Sequence, residues 1–296
     1  MTTSLSDASN PLALLSDHLV RLTEEASAGI VGVRGGGRWP VSGIHWRPGI
    51  VVTAEEALER EEGLEILTAD GRTFPATFIG RDPTTDIAVL RFQPDGLALA
   101  SLGDAAALRT GQFVLALGRH ERGAVAASGI VAHAGGAWQS QRGGRIDHLI
   151  RLDLRLAPSA EGGALVNTRG EVLGMTVTGP RHRVLAIPRS TIDRVADQLL
   201  AKGRIARGYL GARLRPVGGN HPGVLVMSLD KEGPAAAAGL LVGDIIQSWS
   251  GTAVTRVRHV MQQLSTDSVG TTAALGLSRG GAPASLSIVI GERPSR

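Results

Sequence analysis

The stretch APSAEGGALVNTRGEVLG, residues 157–174, combines a structural signal with a chemical one. Two short apolar runs, GALVN and EVLGMTV, flank the turn signal Arg169-Gly170, so they predict two strands joined by a turn. The paired glycines Gly162-Gly163 open the first run, and Glu161 stands directly before them. The stretch therefore predicts a glycine-rich loop that carries an acidic side chain into a pair of strands.

The same strand-and-turn texture extends from Gly29 to about Ile187. Short apolar or alternating runs such as IVGVRG, GIVVTA, DIAVLRF and FVLALG alternate with turns such as Asp70-Gly71 and Asp95-Gly96. Forty glycines, 14 prolines and 3% aromatic residues agree with many short strands and small aliphatic cores. A dozen short strands in this length predict closed β-barrels rather than alternating β-α units.

Helices are predicted at three places, and a short Ala-rich helical turn is predicted at residues 234–239. Before the strands, Asn10 suits an N-cap and Pro11 a first turn, and an apolar stripe follows at helical spacing, formed by Leu12, Leu15, Leu19 and Leu22. That stripe is interpreted as packing on its own domain, or alternatively as an oligomer contact. After Pro188, RSTIDRVADQLLAKG predicts a helix with Gly203 as C-cap, and another is predicted around residues 257–264.

Composition and charge exclude several function classes. The 31 basic residues against 27 acidic ones are scattered, without the clustered cations and stacking aromatics of a nucleic-acid surface. Cysteine is absent, which rules out disulfides and thiol chemistry. The N-terminus lacks the features of a secretory signal and no segment is apolar enough to span a membrane, so we expect a cytoplasmic protein.

Several motifs in order resemble those of the HtrA (DegP-like) family of trypsin-like serine proteases with a C-terminal PDZ domain. In the first part these are DGRTFPATFIGRDPTTDIAVLRF, LALASLGDAAALRTGQFVLALG, SGIVAHAGG, GGALVNTRGEVLGM and LAIPRSTI. In the second part they are GYLGARL and GPAAAAGLLVGDIIQSWSGTAV. The resemblance covers about residues 29–290. It implies a mostly β fold, with a chymotrypsin-like double β-barrel followed by an α+β PDZ domain.

The domain organisation follows from the resemblance and the linker composition. We expect an N-terminal helical segment at residues 1–28, a trypsin-like domain at 29–203 and a PDZ domain at 204–293.

The resemblance also assigns the three positions of a catalytic triad, and two of them depart from it. In VVTAEEALER, Glu56 stands where the family has histidine. Asp86, in TTDIAVL, matches the family's aspartate, and Glu161 stands where the family has the nucleophilic serine. A carboxylate is a weak nucleophile toward an amide. As a general base it is less suitable than imidazole, whose ordinary pKa lies near neutral pH. No catalytic residue is therefore expected at the triad-equivalent positions Glu56, Asp86 and Glu161.

Two further expectations concern what replaces the lost chemistry. The Glu161 carboxylate is predicted to fold back on the oxyanion-hole amides near Ser159 and Glu161 itself. Three converging carboxylates would need a proton, a cation or an arginine, and Arg151 and Arg155 are candidate partners. No metal site and no cofactor are expected.

A relocated catalytic pair is the remaining route to hydrolysis. It would use Ser128 or Ser159 with one of four loop histidines, His120, His133, His148 and His182.

The PDZ part keeps the family's peptide-binding pattern. By resemblance, Gly208-Tyr209-Leu210-Gly211 is the loop that binds a terminal carboxylate, and the strand at Ala212, Arg213 and Leu214 pairs with the peptide. The side-chain pocket would be lined by Val257, Val260, Met261 and Leu264. At helical spacing the same four residues are equally an ordinary core face.

These features predict a pseudoprotease that binds peptides, protein C-termini or unfolded proteins as an adaptor, holdase or regulator. An active serine-type endopeptidase with a rearranged site is the first alternative. A non-catalytic subunit that associates with itself or with active HtrA relatives is the second.

Overall fold

The structure, a computed structural model, describes residues 10–37, 39–218, 222–264 and 268–293. The chain divides into two compact units, Met1–Arg204 and Ile205–Arg296. The predicted fold class is confirmed: among the described residues the first unit holds two closed six-stranded barrels, and the second holds a six-stranded sheet with two short α-helices.

The first barrel is built from antiparallel strands with the order β1-β2-β3-β6-β5-β4 around the barrel. Its strands are β1 Ile30–Arg34, β2 Val41–Arg47, β3 Ile50–Thr53, β4 Leu64–Leu67, β5 Thr73–Asp82 and β6 Ile87–Phe92. Small aliphatic side chains fill its core, as the composition predicts, among them Val33, Val51 and Leu90. The turn between β5 and β6 carries Asp86.

The second barrel has the order β11-β14-β13-β12-β7-β8. Its strands are β7 Phe113–His120, β8 Gly123–Gly135, β11 Leu149–Asp153, β12 Ala164–Val166, β13 Val172–Gly179 and β14 Arg183–Pro188, and a separate pair is formed by β9 Trp138–Gln139 and β10 Arg145–Ile146. Three-residue 3₁₀ helices lie at Pro158–Ala160 and Pro180–His182. The two strands predicted from the opening stretch are β12 and β13, which pair with each other.

The described part of the first unit contains two α-helices. Helix α1, Pro11–Ser27, begins as predicted, because the Asn10 side chain accepts a hydrogen bond from the Leu12 N–H at 3.0 Å. Helix α2, Arg189–Lys202, ends at Gly203, which adopts the left-handed conformation expected of a C-cap.

The leucine stripe of α1 is only partly covered. Leu22 is buried, whereas Leu12 and Leu15 are 76% and 50% exposed. The helix therefore packs on its own unit through its C-terminal half, and its first turns present leucines to solvent.

The second unit contains a sheet with the order β16-β17-β18-β20-β21, and β19 pairs with β18. The elements of this unit are β15 Gly208–Tyr209, β16 Ala212–Val217, β17 Gly223–Leu229, α3 Pro234–Ala237, β18 Ile245–Trp249, β19 Thr252–Ala253, α4 Val257–Gln263, β20 Thr272–Arg279, β21 Ala282–Val289 and β22 Gly291–Glu292. Strands β15 and β22 pair with each other in a separate two-stranded sheet. Strand β16 lies at an edge of this sheet, and α4 packs beside it. No helix in the described ranges is long and apolar enough to cross a membrane.

Candidate functional site

The turn between β5 and β6 fixes the position of Asp86. Asp86 has a positive φ of 57°, and its Oδ1 accepts a hydrogen bond from the Glu56 N–H at 2.8 Å. The turn is fixed by the buried Asp82, whose carboxylate accepts hydrogen bonds from Thr84 and Thr85. Asp86 therefore faces the backbone of residue 56, the position that the resemblance equates with a histidine.

Asp86 lies among negative charges. Burial raises the pKa of its carboxyl to about 7, and the charges of Glu56, Glu161 and Glu55 act in the same direction. The hydrogen bond from the Glu56 N–H opposes this rise. Near neutral pH, both the protonated and the ionised form of the Asp86 carboxyl are therefore populated.

The Glu56 side chain is occupied by an arginine. Its Oε1 lies 2.8 Å from Nη2 of Arg142, which comes from the loop between β9 and β10. The same guanidinium lies 3.7 Å from Glu55 and donates to the Pro83 carbonyl at 3.2 Å. The cationic partner was thus predicted incorrectly, because in the part of the chain that the structure describes neither Arg151 nor Arg155 forms an ion pair with the three acids.

The position of Glu161 follows from the two glycines after it. A Cβ on Gly163 would approach the Leu117 carbonyl oxygen to 2.1 Å, and one on Gly162 would approach that of Ser42 to 2.5 Å. Gly162 also has a φ of +76°, which favours glycine. The loop therefore packs against β7 and β2, and it presents residue 161 beside β13.

The Glu161 carboxylate binds Thr178 on β13. Oε1 accepts the Thr178 N–H and Oε2 accepts the Thr178 hydroxyl, each at 2.6 Å. The prediction that this carboxylate folds back on the oxyanion-hole amides is therefore wrong. The competing donors on Thr178 bind both carboxylate oxygens.

The amide of residue 161, which was expected to be an oxyanion-hole donor, is engaged within its own loop. The Glu161 N–H donates to the Pro158 carbonyl at 3.3 Å within the 3₁₀ turn. The Ser159 carbonyl in turn accepts the Ser42 hydroxyl at 2.6 Å, which fixes this conformation of the loop. In this arrangement the amide of residue 161 is directed into the turn and not toward a substrate.

A cavity of about 650 Å³ lies beside Glu161. Its walls are Val41, Ala57, Leu154, Arg155, Leu156, Pro158, Glu161, Thr178, His182 and Val184. His182 is thus the one predicted loop histidine that lines the same cavity as Glu161. Within the described ranges none of the four loop histidines hydrogen-bonds to Ser128 or Ser159, so no relocated catalytic pair is assembled there.

The three acids do not form a metal site in the described residues. No group of three or more potential metal ligands lies together there. The Glu56 carboxylate pairs with Arg142, and the Glu161 carboxylate accepts the Thr178 hydroxyl.

In the second unit, the predicted carboxylate loop consists of β15, Gly208–Tyr209, and the two residues that connect it to β16. A Cβ on Gly208 would approach Cα of Leu264 to 2.8 Å, and Gly211 has a φ of +72°, so both positions favour glycine. Tyr209 hydrogen-bonds to the carboxylate of Asp230, and Leu210 is buried. Among the described residues, the N–H groups of Leu210 and Gly211 donate to no backbone or side-chain acceptor.

The predicted pocket residues of this unit divide into two groups. Ala212 and Leu214 on β16, together with Val257 and Leu264, are partly buried against the core, and Met261 is 47% exposed. Val260 is fully buried. It therefore anchors α4 to the core, and the other residues present accessible surface between α4 and the edge strand.

Comparison with known proteins agrees with this architecture. Residues 41–175 match the family described as trypsin-like peptidase domain, and residues 208–290 match PDZ domain. The probable periplasmic serine endoprotease DegP-like of Brucella suis is 29% identical over 83% of this chain and 51% of its own length. The periplasmic serine endoprotease DegP of Escherichia coli is 30% identical over 79% of this chain and 52% of its own length. The chain thus spans about half the length of these curated relatives.

Solved structures show the same fold. The serine endoprotease from Yersinia pestis superimposes with a TM-score of 0.75 and 28% identity, covering 93% of this chain and 98% of that one. The HtrA-type protease AlgW with a decapeptide gives a TM-score of 0.75 at 22% identity, covering 94% and 99%. Two such barrels and a PDZ domain define the class of PDZ-containing, trypsin-like peptidase-fold proteins. Within that class the chain belongs to the HtrA family.

Proposed function

We propose that this HtrA family member binds peptides without cleaving them. The observation that carries the proposal is the state of Glu161, which replaces a nucleophile and has both carboxylate oxygens bonded to Thr178. Glu56 is likewise held by Arg142 and is not free to act as a base. With neither an activated nucleophile nor a general base, acyl transfer at this site has no chemical route.

Peptide binding is assigned to the second unit. Strand β16 is a sheet edge, the N–H groups of Leu210 and Gly211 provide donors for a carboxylate, and an apolar surface lies alongside on α4. These are the elements of strand addition with capture of a C-terminal carboxylate. The ligand class is therefore a protein C-terminus or an exposed segment of an unfolded chain, as in an adaptor or holdase.

A fluorescent decapeptide ending in leucine tests this assignment. We expect saturable binding by anisotropy when its carboxylate is free, weakening by about tenfold or more when it is amidated. Met261→Lys should weaken binding by a similar factor, because it places a charge in the apolar surface. Val289→Lys, an equally drastic change at an exposed position on the far edge strand, should leave binding unchanged.

The same experiment tests the absence of proteolysis. After prolonged incubation the decapeptide should be recovered intact by mass spectrometry. Equal binding of the free and amidated peptides would contradict the assignment to the carboxylate loop, and cleavage that copurifies with the chain would contradict the pseudoprotease proposal.

A second candidate function, a non-catalytic subunit of an oligomer, is favoured by helix α1. Leu12, Leu14 and Leu15 are at least half exposed on its first turns, where burial against another chain would be favourable. This role is compatible with peptide binding by the second unit.

Light scattering after size exclusion tests the subunit role. The natural chain should elute as an oligomer at about 50 μM, and Leu12→Gln/Leu15→Gln should shift it to the monomer mass. Leu99→Gln alters an exposed leucine outside the helix and should not change the mass. A monomeric natural chain at that concentration would exclude self-association through α1.

A further inference from the structure

The edge strand β16 presents two different sets of side chains. Ala212 and Leu214 pack against the core of the second unit, whereas Arg213 and Arg215 are exposed. This alternation is expected of a strand, because successive side chains point to opposite faces of the sheet. The two arginines therefore lie next to each other on the outward face of β16, and the other two residues lie on the face that packs with α4 against the core.

The surroundings of these two arginines are basic. Within the described residues neither Arg213 nor Arg215 forms an ion pair, whereas Arg279 of the same unit is paired with Asp244 at 2.8 Å. Strands β16 and β17 and helix α4 contain no acidic residue, and α4 adds the exposed Arg258. The sheet edge thus carries positive charge that an acidic ligand would neutralise.

The first acidic residue after β17 is already engaged. Asp230 follows Leu229, which pairs with Ala212 at the start of β16, so it lies at the end of the strand nearest the carboxylate loop. Its carboxylate accepts a hydrogen bond from the Tyr209 hydroxyl. In the described part of the chain, Asp230 therefore supports the loop and leaves the two arginines of β16 without an acidic partner.

A peptide bound at the carboxylate loop has a defined register along β16. The loop directly precedes β16, so a C-terminal carboxylate held there places the last peptide residue beside Ala212, the first residue of the strand. The peptide then runs back along β16 in the antiparallel direction. Its penultimate residue lies opposite Arg213, the third from last opposite Leu214, and the fourth from last opposite Arg215.

The side chains of such a peptide alternate in the same way as those of β16. The last and third-from-last residues face α4, and the penultimate and fourth-from-last residues point outward. Side chains directly opposite each other in an antiparallel pair have Cβ atoms about 4.5–5.5 Å apart. The outward peptide side chains therefore lie within reach of the Arg213 and Arg215 guanidinium groups.

We propose that Arg213 and Arg215 make the second unit selective for protein C-termini with aspartate or glutamate at the penultimate and fourth-from-last positions. This inference rests on the C-terminal recognition proposed above and narrows its ligand class. Opposite charges directly across a strand pair attract each other, and a guanidinium binds a carboxylate through charge-assisted hydrogen bonds. Because both pairs would be exposed to solvent, salt should weaken the selectivity.

Three fluorescent peptides that end in leucine with a free carboxylate test the selectivity on the full chain. The acidic peptide has glutamate at the penultimate and fourth-from-last positions, and the neutral peptide has glutamine at both. We expect the acidic peptide to bind about fivefold more tightly at low salt, and we expect this ratio to approach one at about 0.5 M NaCl.

The third peptide tests the register. It has the same two glutamates moved by one residue, to the third-from-last and fifth-from-last positions. These side chains would face α4, where Met261 forms part of the apolar surface, and not the two arginines. This shifted peptide should therefore bind no more tightly than the neutral one, although its charge equals that of the acidic peptide.

Matched variants assign the preference to the two arginines. Arg213→Gln/Arg215→Gln replaces exposed side chains, so the protein should fold normally, and the ratio between the acidic and the neutral peptide should fall to about one. Arg109→Gln/Arg122→Gln removes the same charge from two exposed positions of the first unit. This control should retain the preference, because it changes the net charge without changing the sheet edge.

Amidated forms of the three peptides separate this inference from the proposed function. Equal binding of the acidic and neutral peptides, each lost on amidation, would overturn the selectivity and leave C-terminal recognition standing. Binding that ignores amidation in all three peptides would overturn both. A preference that the shifted peptide shares, or that survives Arg213→Gln/Arg215→Gln in a protein with normal urea unfolding, would show general attraction between opposite charges and would also overturn the selectivity.

Discussion

The natural chain should leave casein intact, whereas the double variant Glu56→His/Glu161→Ser should cleave it slowly. Loss of the serine or the histidine of a triad costs about 10⁶ in turnover, so the natural chain is expected to show no cleavage above background. Restoring both groups returns the nucleophile and the base. The Asp86 carboxylate already accepts a hydrogen bond from the residue 56 backbone, so it is suitably placed to orient a new imidazole.

Cleavage by the double variant should nevertheless remain well below that of an intact triad enzyme. The N–H of residue 161 donates to the Pro158 carbonyl in a turn that Ser42 supports through the Ser159 carbonyl. Losing one oxyanion donor costs about 10²–10³ in turnover. The side-chain exchange does not by itself turn this amide, so a deficit of about that size should persist.

The controls for this experiment separate the restored chemistry from contamination. Glu56→His/Glu161→Ala has the new base without a nucleophile, and it should be as inert as the natural chain. A fluorophosphonate probe, which labels an activated serine, should react only with the Glu56→His/Glu161→Ser protein. Cleavage by the natural chain that survives repeated chromatography and tracks with the protein peak would refute the pseudoprotease proposal.

The sequence alone was sufficient to predict features that depend on the backbone conformation of neighbouring residues. The pair Gly162-Gly163 predicted a glycine-rich loop. The structure explains the glycines, because the loop packs so closely on neighbouring strands that a Cβ has no room. Asn10 and Gly203 similarly marked helix ends through capping, which depends on residues a few positions apart. The number of short strands predicted closed barrels, the resemblance implied two of them, and the structure confirmed both.

The side-chain partners of the acids could not be predicted in the same way. Arg142 lies in a loop between two short strands, and nothing in its neighbouring residues indicates that it reaches Glu56. Thr178 competes for Glu161 only because β13 runs beside the loop in three dimensions. Both contacts depend on tertiary structure. Helical and strand periodicity predict local secondary structure, but they do not predict which distant side chains meet.

Helix faces illustrate an intermediate case. Periodicity placed Val257, Val260, Met261 and Leu264 on one apolar face, but it does not define which of them face the core. The packing of α4 beside β16 buries Val260 and leaves Met261 exposed. On α1 the leucine stripe is continuous in sequence, yet only its C-terminal end meets the barrel.

Replacing Asp86 by asparagine should stabilise the protein, and the gain should grow with pH. Burial, aided by neighbouring carboxylates, raises the folded-state pKa of Asp86 to about 7, compared with an ordinary value of 3.8. Below pH 3.8 the group is protonated in both the folded and the unfolded chain, and it contributes no difference. As pH rises toward 7 the unfolded chain ionises first, so the free energy of unfolding falls with pH.

The expected size of this effect follows from the same shift. A shift of about 3 units corresponds to roughly 4 kcal/mol at high pH. Because the side chain is only partly buried and the neighbouring acids titrate with it, we expect the advantage of Asp86→Asn to grow by about 2 kcal/mol between pH 5 and pH 8. Asparagine accepts the Glu56 N–H through its Oδ1 and tolerates the positive φ, so the turn should be retained.

Urea unfolding of the full chain at pH 5 and pH 8 measures this difference. Asp95→Asn, at an exposed position in the loop after β6, is the matched control and should change stability by less than about 0.5 kcal/mol at either pH. A destabilising effect of Asp86→Asn at pH 8 would show that the ionised carboxylate is favoured in the folded protein. The negative charge around Asp86 would then have to be balanced by a cation, and Arg142, whose guanidinium pairs with Glu56, would be the first residue to substitute.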